Sequence, residues 1–155
     1  MDENDLRLMR AAIEVAWRAR ENGNHPFGAL LVDREGNVLL EAENTVVTQG
    51  DCTGHAETNL MRLATQAYGA DLLAGCTVYA SIEPCPMCSG AIYGGNVRRV
   101  VYGLSEESLY EMVGDSPEAL YLPCREVFGR GRKPIVVVGP VLEEEVRRVH
   151  EGFWR

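Results

Sequence analysis

Apolar residues recur along this chain in two periods, and the switches between them predict its elements. Over residues 4–22, Leu6, Met9, Ile13, Ala16, Trp17 and Arg20 fall at i, i+3, i+7, i+10, i+11 and i+14. That is the spacing of an amphipathic helix, with the acids and remaining arginines on its other face. Asn22-Gly23-Asn24 ends it, since Gly and Asn tolerate a left-handed cap. Residues 27–33 then read as a buried strand, and Arg34-Glu35-Gly36-Asn37 turns it back into a hairpin partner over 38–43. Asn44 closes that strand, and 45–54 reads as a loop.

A second helix is predicted over 54–68, with Leu60, Leu63, Ala64 and Ala67 as its apolar stripe and Gly69 as its stop. Residues 76–82 form a buried strand, 85–93 a short helix opened by prolines, and 98–104 another strand. Between 105 and 133 the pattern is less regular: Ser105-Glu106-Glu107-Ser108 looks like a helix start, and Pro117 and Pro123 interrupt. A last strand covers 135–139. A closing helix carries Leu142, Val146, Val149 and Phe153 at i, i+4, i+7 and i+11. The order α-β-β-α-β-α-β-α-β-α predicts a mixed five-stranded sheet with helices on both faces, an α/β/α sandwich. The roughly thirty residues between the last two strands leave room for a helical crossover, so those strands can run parallel.

Composition narrows the class. A chain of 155 residues suits one domain, here spanning 1–155, that buries roughly two-thirds of its unfolded surface. No apolar run approaches the ~20 residues that cross a bilayer, so no membrane partner is expected. Met1-Asp2-Glu3-Asn4-Asp5 is acidic where a secretion signal is basic, and the five cysteines cannot all pair; both point to a reducing cytoplasm. The net charge is −8, from 23 acids against 15 bases, and Lys133 is the only lysine. Nucleic acid is therefore an unfavoured partner. One basic cluster stands out, at Arg125, Arg130, Arg132 and Lys133.

The chemistry sits in His55-Ala56-Glu57 and Pro84-Cys85-Pro86-Met87-Cys88. Two thiolates and an imidazole suit a zinc ion, and three protein ligands are what catalytic zinc sites use, the fourth position being left for water. Cys85 and Cys88, three apart, face one way on a helix's first turn, where the helix end favours negative charge. His55 comes from the start of the preceding helix. Glu57, two residues on, belongs to that helix's first turn, placed for proton transfer to and from a zinc-activated water. A closed structural zinc knuckle would need a fourth ligand. His25, His150, Cys52, Cys76 and Cys124 are the only spare histidines and cysteines, and none sits in a second ligand pair. Such a knuckle also leaves Glu57 without a task.

His-x-Glu followed by Pro-Cys-x-x-Cys resembles the signature of the cytidine/deoxycytidylate deaminase superfamily. The likeness is strongest over 26–104, within the branch of guanine deaminases, yeast-type cytosine deaminases and tRNA adenosine deaminases. The run Glu83–Tyr93 looks most like free-base guanine deaminases. The resemblance implies parallel fourth and fifth strands, Zn²⁺ on His55, Cys85 and Cys88, and Glu57 as acid and base. It implies substrate contacts from Asn44, Phe27 and Ala56, and a C-terminal lid from Phe153 and Trp154. It also implies a homodimer, with the Tyr93 region as a candidate contact. Blander roles stand beside these: Asn44 as a turn residue, Phe27 as core, Phe153 as part of the last helix's stripe. Cys52 and Gly54 stand where relatives carry Pro and Ala, and Glu83 has no assigned task. The expected activity is hydrolytic deamination of a free amino-substituted nucleobase of guanine, cytosine or triazine type. The alternatives are a tRNA-specific adenosine deaminase and, in another class, an inactive zinc-binding scaffold.

Overall fold

The structure is a computed structural model and describes residues 1–154. Helix α1 (Glu3–Glu21) opens on a reciprocal cap: Asp2 accepts from the Asp5 N–H at 2.9 Å, and the Asp2 N–H donates to the Asp5 carboxylate at 3.2 Å. Its buried face differs from the expected one. Met9, Ile13 and Ala16 of the expected stripe are buried together with Leu8, Ala12, Val15 and Ala19, while Trp17 faces solvent and Asp5 lies inside. The cause is close packing. A Cβ added at Gly28 would lie 2.5 Å from the Ala16 backbone nitrogen, so only the small residues of the helix can face strand β1 (Gly28–Val32). Asp5 is held there by Arg99, at 2.8 Å, and by the Tyr79 hydroxyl.

Strand β2 (Val38–Glu43) pairs antiparallel with β1, and the chain continues through α2 (Val46–Gln49), α3 (Ala56–Ala67) and α4 (Ala70–Ala74) to β3 (Thr77–Ile82). Then follow α5 (Pro86–Gly94), β4 (Arg99–Leu104), α6 (Glu106–Val113), α7 (Cys124–Gly129), β5 (Val136–Val138) and α8 (Glu143–His150). The sheet order is β2-β1-β3-β4-β5; β1 and β3 are antiparallel, while β3, β4 and β5 run parallel as expected. Leu31, Val78 and Val100 point to one face, under α3, α5 and α7; Leu30, Tyr79 and Val101 point to the other, under α1, α6 and α8. No described helix is long and apolar enough to cross a membrane.

Several elements depart from the expected pattern. The loop after Asn44 holds the short α2, and Gly69, at which the second helix stops as expected, also caps a further short helix, α4. The irregular segment contains α6, capped by Ser105 at the expected start, and a second helix, α7, that the pattern did not show. Strand β5 is shorter than predicted, since Pro134 and Pro140 bracket it and have no N–H for the ladder. Helix α8 stops at His150, with Gly152 at φ 71, so Phe153 is not on its stripe; the buried positions are Val146, Val149 and His150. Within the basic cluster, Arg125 donates to the carbonyls of Val137 and Gly139, and Lys133 to that of Tyr93. Tyr93, the candidate subunit contact, accepts from the N–H groups of Arg132 and Lys133.

Candidate active site

Two helix starts meet beside the end of β3. His55 is the N-cap residue of α3, with extended backbone, and Cys85 is the N-cap of α5. Pro86 fits the first helical position, and Cys88 follows in the same turn. This brings Cys85 Sγ to 3.5 Å and Cys88 Sγ to 3.6 Å from His55 Nδ1, with all three atoms within 4.8 Å of one another. Zinc bonds of about 2.3 Å to sulfur and 2.0 Å to nitrogen at a tetrahedral angle separate S and N by about 3.5 Å. The donor set and its spacing thus fit zinc. The Thr58 hydroxyl lies 3.1 Å from Cys88 Sγ, and hydrogen bonding to Cys88 and His55 draws the Cys85 thiol down to about 4. Cys85 in turn raises the His55 imidazole.

Glu57 stands in the first turn of α3, 6% exposed. Burial, and then the charge of Cys85, raise its carboxyl to about 7, where it can both take and give a proton near neutrality. The loop that carries the histidine is held by Asn59, whose amide donates to the Glu43 carbonyl, the Thr45 hydroxyl and the Gly54 carbonyl. Glu83 acquires a task here. Its two oxygens accept the N–H of Glu106 at 3.0 Å and of Cys124 at 2.9 Å, joining the starts of α6 and α7 to the end of β3.

These residues open on a cavity of about 620 Å³, a usual volume for a small-molecule site. His55, Glu57 and Cys85 line it, as do Asn44 and Phe27. Asn44 is buried; its Oδ1 accepts from the Val46 N–H at 3.0 Å, as a turn residue does, and its Nδ2 has no partner among the described residues. Ala56 lies in the core and does not line the cavity. The two C-terminal aromatics separate: Trp154 is part of the wall, whereas Phe153 packs on the Arg20 guanidinium, 5.4 Å from the ring centre. Trp154 stacks on His150 and donates its Nε1–H to His150 Nδ1 at 3.0 Å, while Phe27 meets His150 edge to face. Cys52 is exposed at the wall.

Sequence reasoning missed two parts of this wall. His25 lies 5.5 Å from the Trp154 ring and precedes the singled-out Pro26-Phe27 by a residue. The other part runs from Glu106 to Glu118, through Leu109, Tyr110 and Val113. Its only signal was Glu106 and Tyr110 at i and i+4, which two exposed helix residues would share.

A family model, the cytidine and deoxycytidylate deaminase zinc-binding region, matches residues 2–104. A protein of Schizosaccharomyces pombe called "Probable cytosine deaminase" is 44% identical over 99% of this chain and 94% of its own. The tRNA-specific adenosine deaminase of Bacillus subtilis is 35% identical over 100% of this chain and 91% of its own. The X-ray structure of guanine deaminase from Bacillus subtilis superposes with a TM-score of 0.64 at 31% identity, covering 79% of this chain and 83% of the other.

Proposed function

The chain belongs to the cytidine and deoxycytidylate deaminase zinc-binding family, and on that premise we propose that it removes the amino group of a free nucleobase or related heterocycle as ammonia. The observation that carries the free-base part is the cavity wall. It holds Glu57, Glu83, Glu106, Asp115 and Glu118, and no lysine or arginine among the described residues. A polynucleotide needs a cation for each phosphate it brings. An uncharged planar ring needs none, and Phe27 and Trp154 offer it aromatic surface.

His55, Cys85 and Cys88 would hold the zinc ion. When bound, zinc supplies Lewis acidity that turns water into a nucleophile near neutral pH. Glu57 takes the proton that this water gives up as its oxygen bonds to the amine-bearing ring carbon. It delivers that proton to the adjacent ring nitrogen, then moves the second water proton to the departing amine. The C–N bond breaks, the ring keeps a carbonyl and an N–H, and ammonia leaves. Asn44 Nδ2 is the free donor for a polar edge of the ring, and Phe27 and Trp154 exclude bulk water from its faces.

The second reading is a tRNA adenosine deaminase, favoured by the full-length match to the Bacillus subtilis enzyme. Ammonia release from free bases, nucleosides and a tRNA anticodon stem-loop separates the two. Turnover of at least one free base, with little salt dependence, is expected. Turnover of the stem-loop alone, falling steeply with salt, would overturn the proposal.

A further inference from the structure

Glu106 is only 3% exposed, and its place is set from two sides. Its backbone N–H donates to Glu83 at 3.0 Å, and Ser105 caps its helix by accepting the Ser108 N–H at 3.1 Å. One oxygen, Oε2, accepts from the Tyr110 hydroxyl at 3.1 Å. The other, Oε1, is closed off from solvent and has no donor among the described residues. Buried polar groups are rarely left so, because the lost hydration is not replaced. Two other buried acids are not left so: Asp5 meets Arg99 and Tyr79, and Glu83 meets two N–H groups. The one other such side-chain atom among the described residues, His150 Nε2, belongs to a residue behind the cavity wall, whereas Glu106 and Tyr110 are both in that wall with Glu57 and Asn44.

An acceptor without a donor, in the wall of a substrate cavity, asks for a donor on the occupant. Resting on the reading that a free heterocycle fills this cavity, we propose that Glu106 is a specificity-determining residue whose Oε1 accepts a hydrogen bond from a substrate N–H other than the amine that leaves. The carboxyl's last torsion is broad, so a small turn presents Oε1 to the ring while Tyr110 stays in reach. Free bases carry the required group: guanine and cytosine have ring N–H donors, one of which is replaced by the sugar in a nucleoside. Glu106 would thereby select the free base as well as its orientation. Its contact is the same before and during the reaction, so its contribution falls mainly on KM.

The test compares cytosine with 1-methylcytosine, and guanine with 1-methylguanine and 9-methylguanine, in wild type, Glu106→Gln and Glu106→Met. For the base that is turned over, wild type should favour an N–H form over its N-methyl partner by about tenfold in kcat/KM, the upper size of one neutral hydrogen bond. Glu106→Met should compress that ratio to about threefold or less through a higher KM, and Glu106→Gln should restore part of it. The full ratio persisting in Glu106→Met would assign it to steric exclusion of the methyl group and overturn the inference. Wild type that turns over none of these bases would leave the base to be found among other amino-heterocycles, and Glu106 is then judged by melting temperature. An unchanged or higher Tm in both variants supports a residue kept for a ligand. A fall of more than about 5 °C in both assigns it to the fold and overturns the inference.

Discussion

Glu57 and Glu83 stand in one cavity wall and differ in what their oxygens meet. Glu83 is saturated by two backbone N–H groups and is fixed as an anchor. Glu57 has burial and a neighbouring thiolate pressing on it, which is what keeps a proton mobile. Glu57→Ala should therefore keep metal and melting temperature while kcat falls by about 10²-fold or more. A folded, zinc-loaded variant with the wild-type rate would move the proton transfer elsewhere. The ligands behave differently, because a metal bound only by the folded chain stabilises the fold. Cys88→Ala, and Cys85→Ala with it, should lose zinc in elemental analysis and melt at a lower temperature. Full zinc occupancy in both would remove them from the ligand set.

At the scale of elements, α1 is pinned from its first turn. The Asp5 carboxylate is held well below its usual range, by Arg99 first, and its side chain is 4% exposed against 32% for Arg99. Asp5→Ala leaves Arg99 and Tyr79 without their partner and should cost about 2–3 kcal/mol in denaturant unfolding. A loss below about 0.5 kcal/mol would make the pair a surface interaction. Asp5 also shows where reading the chain stopped. Its period placed a helix over 4–22 correctly but turned the face by about one position, because Trp17 and Asp5 trade sides for reasons that lie in Gly28, Tyr79 and Arg99. The succession of five strands along the chain was legible because strand periodicity is local, and the parallel pairing of the last two was allowed by the crossover length and implied by the family resemblance. The meeting of His55, Cys85, Cys88 and Glu57 at one place was legible for the same reason: each half of the motif is a helix start. The wall from Glu106 to Glu118 was not, because α6 joins the site through Glu83, a contact across twenty-three positions. Nor was the parting of Phe153 from Trp154, which follows from Gly152 ending α8 early.

The whole molecule has an acid-sensitive joint. His150 is held down to about 4, by burial first and then by the positive Arg20, so it is neutral when folded. Unfolded, it takes a proton below about pH 6.5. Its share of stability is thus present above that pH and is lost as pH falls toward 4, on the order of 3 kcal/mol, after which both forms are protonated. Denaturant melts between pH 7 and pH 4 should show this decline, and His150→Gln should flatten it. An equal slope in the variant would place the acid sensitivity on other groups.

The cavity is assembled from two stretches of chain. The candidate reactive residues His55, Glu57, Cys85 and Cys88 all precede β4, whereas the wall around the proposed ring comes partly from Phe27 and Asn44 before it and largely from Glu106, Tyr110, Glu118 and Trp154 after it. Such a layout lets inheritance treat the two separately. Substitutions in the later stretch can exchange one ring for another without touching the reactive centre, so a lineage can try new nutrients or new repair tasks at little risk to its chemistry. The relatives this chain matches are named for cytosine, guanine and tRNA adenosine, a spread of rings such freedom would allow.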